Sequence, residues 1–194
     1  MESIKERSMN IQWVLADNLA LDPTADLARM RKAGAFWGSW KTWRAYNTDN
    51  VICHDFQKAQ ELVKRDFQSS CNFYIPNKSY EKLDSPRGIK LYEGDFMGHD
   101  VECQDEIVAM NLAASIADVV LLIGFDWREK SPIEDKILEL RAKNYRGLVL
   151  QAIKSAPNTQ WILVSHPGEV NEELALQPNL GRDSLSNVFS LLGG

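Results

Sequence analysis

The stretch "DVVLLIGFDW", Asp118 to Trp127, decides the fold. Val119 to Phe125 is the most apolar run in the chain, with no charge and no hydrogen-bonding side chain. A run of this kind is buried on both faces, which is what the central strand of a parallel sheet requires. On its amino side, Asp105 to Ala117 carries Ile107, Val108, Met110, Leu112 and Ile116 at helical spacing. On its carboxyl side, Ser131, Pro132 and Glu134 supply an N-cap, a first-turn proline and a capping-box acid. A helix therefore starts there; the pattern predicts a break near Gly147 and a resumption to Ala156.

Working outward, the same alternation of short apolar runs and amphipathic stretches fills the chain, the sign of βαβ units. "IQWVLA", Ile11 to Ala16, reads as a strand, followed by a helix with Asp22 at its N-cap, Pro23 at N1 and Gly34 past its end. A strand at Ala35 to Gly38, a helix from Ser39 to Tyr46 and the β-branched run "NVICH", Asn50 to His54, come next. Phe56, Ala59, Leu62, Val63 and Phe67 form one stripe of a further helix. "CNFYIP" and "IKLYEG" read as strands joined through "SPRG", and "QWILVS", Gln160 to Ser165, as the last strand, with a helical remainder closing in "DSLSNVFSLL". The expected fold is α/β: a three-layer Rossmann-like domain over residues 10–194, with a mainly parallel sheet of about six to seven strands. Residues 1–9 are expected to form a flexible arm.

The 194 residues carry a net charge of −5 and no run rich in Lys and Arg, which disfavours nucleic acid as a partner. No apolar run approaches the roughly 20 residues of a membrane span, so no membrane span and a cytoplasmic location are expected. Cys53, Cys71 and Cys103 lack CxxC spacing and read as reduced thiols. "HDVEC", His99 to Cys103, has one His and one Cys without a second pair; it reads as a polar loop, and no metal is expected. GxGxxG, the P-loop signature and GxSxG are all missing from the sequence, so no cofactor is expected and serine-hydrolase chemistry has no nucleophile elbow.

In open α/β sheets ligands bind outside the carboxyl ends of the strands, where helix N-termini and free amides converge. Nearly every expected strand ends there in a hydrogen-bonding group: Asp17 and Asn18, Ser39, His54 and Asp55, Asn77, Asp126 and Trp127, Ser165 and His166. Each also has a plainer reading, Asp55 as an N-cap and Asn77 as a turn former. Trp37, Trp40 and Trp43 recur every third residue, but Trp37 belongs to a strand and reads as core. Trp40 opens the next helix, where a base or sugar can stack on it, and Trp43 follows one turn on. Lys41 and Arg44 on that helix read either as charge offered to a phosphate or as solvated surface. His54 and His166 are the titratable candidates, and a His at a strand end beside a carboxylate suits a general base for an acceptor hydroxyl.

Three pieces of the chain resemble the fold shared by the family 42 glycosyltransferases, which are sialyltransferases using CMP-sialic acid, and the related MptE-like proteins. These are "GAFWGSWKTWRAYNTDNVICHD", "DVVLLIGFDW" and "QWILVSHPGEVNEELALQPNL". The resemblance implies Asn18 near donor phosphates, Ser39 near the nucleotide or donor sugar, and Asp126 beside the site. The family's Gly-Asn-Gly-Pro-Ser loop is here "ADNLALDP", which keeps only the Asn, and the segment after "GFDW" is shorter than the family's lid.

The expected function is binding of a nucleotide or nucleotide sugar. If the protein is an enzyme, it is expected to be a nucleotide-sugar-dependent, glycosyltransferase-like protein with His54, His166 and Asp126 catalytic. Asp17, Asn18, Ser39, Trp40, Arg44, Asp55, Asn77 and Trp127 are the expected ligand-binding residues. The alternative is a non-catalytic small-molecule-binding or oligomeric accessory protein, for example phage-encoded, that keeps only the fold. Six tryptophans supply aromatic surface for such a homo-oligomer.

Overall fold

The structure is a computed structural model, and it describes residues 9–17, 26–83, 86–93, 104–125, 136–164 and 176–192. In chain order the elements are β1 (Ile11–Leu15), α1 (Asp26–Ala33), β2 (Gly34–Ser39), α2 (Trp40–Tyr46), β3 (Asn50–Ile52), α3 (Phe56–Lys64), β4 (Asn72–Pro76) and α4 (Asn77–Tyr80). There follow β5 (Ile89–Tyr92), α5 (Gln104–Ala114), β6 (Val119–Ile123), α6 (Lys136–Ser155), β7 (Gln160–Val164), β8 (Leu180–Asp183) and α7 (Leu185–Leu191). All eight strands form one parallel sheet in the order β5-β4-β3-β2-β1-β6-β7-β8.

The expected α/β architecture is what forms, with one strand more than about six to seven. The extra strand is β8, in the segment read as helical. Its sequence Leu-Gly-Arg-Asp has no β-branched or aromatic residue, so its pairing with Trp161 to Val164 decides its conformation rather than its own propensity. The expected break at Gly147 also does not occur: α6 runs unbroken from Lys136 to Ser155. A glycine costs a helix only about 1 kcal/mol relative to alanine, and Val149, Leu150, Ala152 and Ile153 bury the same helix around it.

Alternation along the strands builds the three layers. Val14, Trp37, Ile52, Val120, Leu122, Trp161 and Leu163 meet one face, where α5 and α6 cover them with Ile107, Met110, Ala113, Val149 and Ile153. On the other face Trp13, Leu15, Phe36, Leu121 and Ile123 pack with Met30 of α1 and with Val188 and Phe189 of α7. Further along that face, Val51, Cys53, Phe73 and Ile75 pack with Ala59 and Leu62 of α3. Val119 to Ile123 lies beside β1 in full register, and four of its five residues are buried, as the opening run requires.

Trp37 is core, as expected, and its Nε1–H donates to Gln12 Oε1 at 2.7 Å. Arg31 closes the outer face: it pairs with Asp49 at 3.1 Å, donates to the Tyr46 and Asn47 carbonyls, and lies 4.6 Å from the Phe36 ring centroid. Where β2 begins, a Cβ on Gly34 would sit 2.0 Å from the Ile11 carbonyl oxygen. That obstacle is backbone of the paired strand and cannot rotate away. Gly34→Ala is expected to cost about 1–3 kcal/mol as overpacking, read as a lower urea midpoint.

Cys53 is buried and Cys71 partly buried, and both are free thiols. Burial pushes Cys71 up to about 12, so it is not a thiolate at neutral pH. No helix among the described residues is long and apolar enough to cross a membrane.

Candidate functional site

The chain runs β1 to β5 outward in one direction, then returns through α5 to place β6 on the other side of β1. This reversal creates a switch point at the carboxyl ends of β1 and β6, the usual position of a ligand crevice in such sheets. A connected set of polar side chains stands at its rim.

Ser39 is the N-cap of α2 and is almost fully buried. Its Oγ accepts from the Lys41 amide at 3.0 Å and donates to Asp17 Oδ1 at the end of β1. The other Asp17 oxygen receives Lys41 Nζ at 3.0 Å, while the Asp17 amide donates to Glu106 Oε1. Glu106 comes from the first turn of α5, and its second oxygen accepts from the Tyr145 hydroxyl of α6. Tyr145 stacks on Phe125 just past β6, with ring centroids 6.5 Å apart and planes 7° from parallel. One network thus links the ends of β2, β1 and β6 through α5 and α6.

A second branch begins at the adjacent carboxylate. Asp105 Oδ1 accepts from the His54 amide at 2.7 Å, and His54 Nδ1 lies 3.1 Å from the Tyr92 hydroxyl. Burial raises the Asp105 carboxyl to about 7; the nearby charges of Asp17 and Glu106 add to the rise, while the His54 N–H and Lys41 oppose it. Glu106 is raised by the same desolvation, partly offset by its Tyr145 and Asp17 hydrogen bonds. Lys41 is raised by its bond to Asp17. Burial also raises the Tyr92 phenol, so His54 faces a neutral hydroxyl. A carboxyl group raised to about 7, as Asp105 is, can hold or release a proton near neutral pH.

Of the residues expected from the sequence, the structure brings Asp17, Ser39 and His54 to this rim. Asp55 stands next to it and caps α3, its Oδ1 accepting from the Lys58 amide at 2.7 Å. Asn77 opens α4, and its Oδ1 is buried without a hydrogen-bond partner. Trp40 and Arg44 line a separate cleft between α2 and α3. Asn18, Asp126, Trp127 and His166, with the His99 to Cys103 loop, lie outside the described residues. Among the described residues no three of His, Cys, Asp and Glu are arranged to hold a metal ion.

Sequence reading missed Asp105, Glu106, Tyr92 and Tyr145 as site residues. A signal for the first two existed: adjacent acids enter α5 immediately before the apolar run Ile107-Val108-Ala109-Met110. Acids in a first turn also favour the helix dipole, so the pair by itself does not distinguish a site from an ordinary helix start. Tyr92 and Tyr145 come from distant parts of the chain, and only the fold brings them in.

The fold and this rim define an α/β protein with a largely buried, carboxylate-rich hydrogen-bonded network at its switch point. Compared with family models, curated proteins and solved structures, the chain matches none.

Proposed function

We propose that the protein binds a nucleotide or nucleotide sugar in the switch-point crevice, with Asp17, Ser39, His54 and Asp105 facing the sugar. The observation that carries this reading is the convergence of three strand ends on two hydrogen-bonded sets of groups held by the adjacent Asp105 and Glu106 at the start of α5. Carboxylates accept from vicinal hydroxyls, and their charge-assisted bonds are the stronger kind. Lys41, at the first turn of α2, supplies positive charge for a phosphate at the same rim.

For a transfer reaction the base is His54. In the tautomer whose Nδ1–H donates to the Tyr92 oxygen, Nε2 carries the lone pair that takes a proton from an acceptor hydroxyl. Asp105, which burial raises to about 7, holds the His54 backbone amide and so fixes the position of the base. The internal pairing of Asp17 with Ser39 and Lys41 supports the second reading, a site that binds without turnover.

Calorimetry against CMP, UDP and their sugar conjugates tests the proposal. Binding is expected, and Asp17→Asn is expected to weaken it about tenfold, the worth of one charged hydrogen bond. Heat from none of these ligands would end it. His54→Ala separates the two readings: it abolishes product formation in an enzyme, whereas a binding module yields no product from the start.

A further inference from the structure

We infer that the cleft between α2 and α3 is a second ligand site, one that takes a small molecule combining a flat ring with a phosphate monoester. This goes beyond the reading above, because the cleft shares no lining residue with the carboxylate network. Its volume is about 350 Å³, room for one molecule of mononucleotide size or less.

The lining has two chemically different parts. The first is apolar and aromatic: Leu62 and Phe67 are buried there, and Trp43 meets Phe67 edge-on at 4.5 Å. The Trp43 Nε1–H is buried without a hydrogen-bond partner. The second part is cationic. Arg44, Lys58 and Arg65 line the cleft with Glu61 as the one carboxylate among them. Lys58 and Arg65 both engage that carboxylate, at 2.8 and 3.0 Å, and Arg44 stands near it as well. Positive charge is therefore left over in a protein whose net charge is −5.

Trp40 joins the two parts. Its ring centroid lies 4.3 Å from Lys58 Nζ and 5.9 Å from the Arg44 guanidinium carbon. Both cations are thereby held against an aromatic wall. A neutral sugar would leave the cations unanswered, and inorganic phosphate would leave the aromatic part empty. A ring bearing a phosphate answers both, since guanidinium matches phosphate oxygens bidentately and the ring packs on indole and phenyl faces.

The test is calorimetry with phenyl phosphate and AMP, set against adenosine and inorganic phosphate. The first two are expected to bind at least about tenfold more tightly than the second two, since a charged hydrogen bond or a buried ring is worth a factor of that size. Lys58→Ala should weaken AMP binding about tenfold on the same grounds. Glu61→Gln, on an exposed side chain, should tighten it severalfold by releasing two cations, an effect that a purely structural role for Glu61 does not produce. Equal affinity for AMP and inorganic phosphate, unchanged or weaker binding in Glu61→Gln, or no saturable binding would overturn the assignment. Far-ultraviolet circular dichroism confirms that each variant is folded. His54→Gln changes binding in the crevice and not in this cleft, so failure here is distinguishable from failure of the proposed function.

Discussion

Trp13→Ala is expected to lower the free energy of unfolding by about 3–5 kcal/mol, a large part of the 5–15 kcal/mol typical of a domain. Trp13 sits in β1 with no exposed surface, and its ring meets Phe189 of α7 at 6.5 Å. Truncation leaves a cavity between the central strand and a helix that closes the outer face, where neither side can collapse far. The indole nitrogen makes a sharper comparison available. Trp13 Nε1 is buried without a partner, so Trp13→Phe removes an unmet donor along with some apolar area, and the two effects offset. Trp37→Phe instead strips Gln12 Oε1 of a 2.7 Å donor inside the core. Urea denaturation should therefore rank the losses as Trp13→Ala greatest, Trp37→Phe next and Trp13→Phe least. Equal losses for the two phenylalanine variants would show that the indole N–H groups carry no weight.

The second large effect is on pH dependence. The Asp105 carboxyl is raised from 3.8 to about 7 in the folded protein, so between those values the folded chain keeps a proton that the unfolded chain releases. Stability from this group is fully present below the unfolded value and is lost as pH rises through the folded one. The slope is at most about 1.4 kcal/mol per pH unit. Glu106, also raised by burial, acts in the same direction. Asp105→Asn is neutral at every pH and keeps an oxygen for the His54 amide. It is therefore expected to match the parent near pH 4 and to exceed it in stability by pH 8. Urea midpoints across that range decide the matter; a gap that stays constant would mean that Asp105 ionises in the folded state as it does in the unfolded chain.

Both effects depend on how strands and helices meet, and the two were not equally readable beforehand. Val119 to Phe125 announces a buried strand because parallel sheets covered on both sides demand uninterrupted apolar residues. Asp55 announces a helix start because a cap is a local event, and the structure has it there. The sequence predicts Ser39 as the first residue of its helix, and it stands just outside as the cap itself. The strand Leu180 to Asp183 gave no such sign, since an edge strand of Leu, Gly, Arg and Asp takes its conformation from its neighbour. The site divides in the same way. Asp17, Ser39 and His54 follow from the rule that strand ends gather ligands. The sequence offers Lys41 both as phosphate contact and as solvated surface, and in the structure it pairs with Asp17. Asp105 and Glu106 had no strand to end, and what joins them to Asp17 and His54 is the crossover through α5, which no local pattern encodes. Trp40 and Arg44 stand one and five residues past Ser39, yet their side chains line the α2–α3 cleft rather than the carboxylate network.

The position of β1 also bears on how the chain reaches this state. β1 is hydrogen-bonded on one side to β2, the next strand made, and on the other to β6. Asn10 and Asp118, which join the latter pair at its start, are 108 residues apart. During synthesis the first five strands emerge with the flank of β1 unpaired, and every residue of that strand is apolar enough or shielded enough to be buried in the end. Pairing of such long range is slow to form, and an open apolar strand invites association with other chains meanwhile. The ribosome must deliver "VVLLI" before β1, buried along its whole length, has both of its partners.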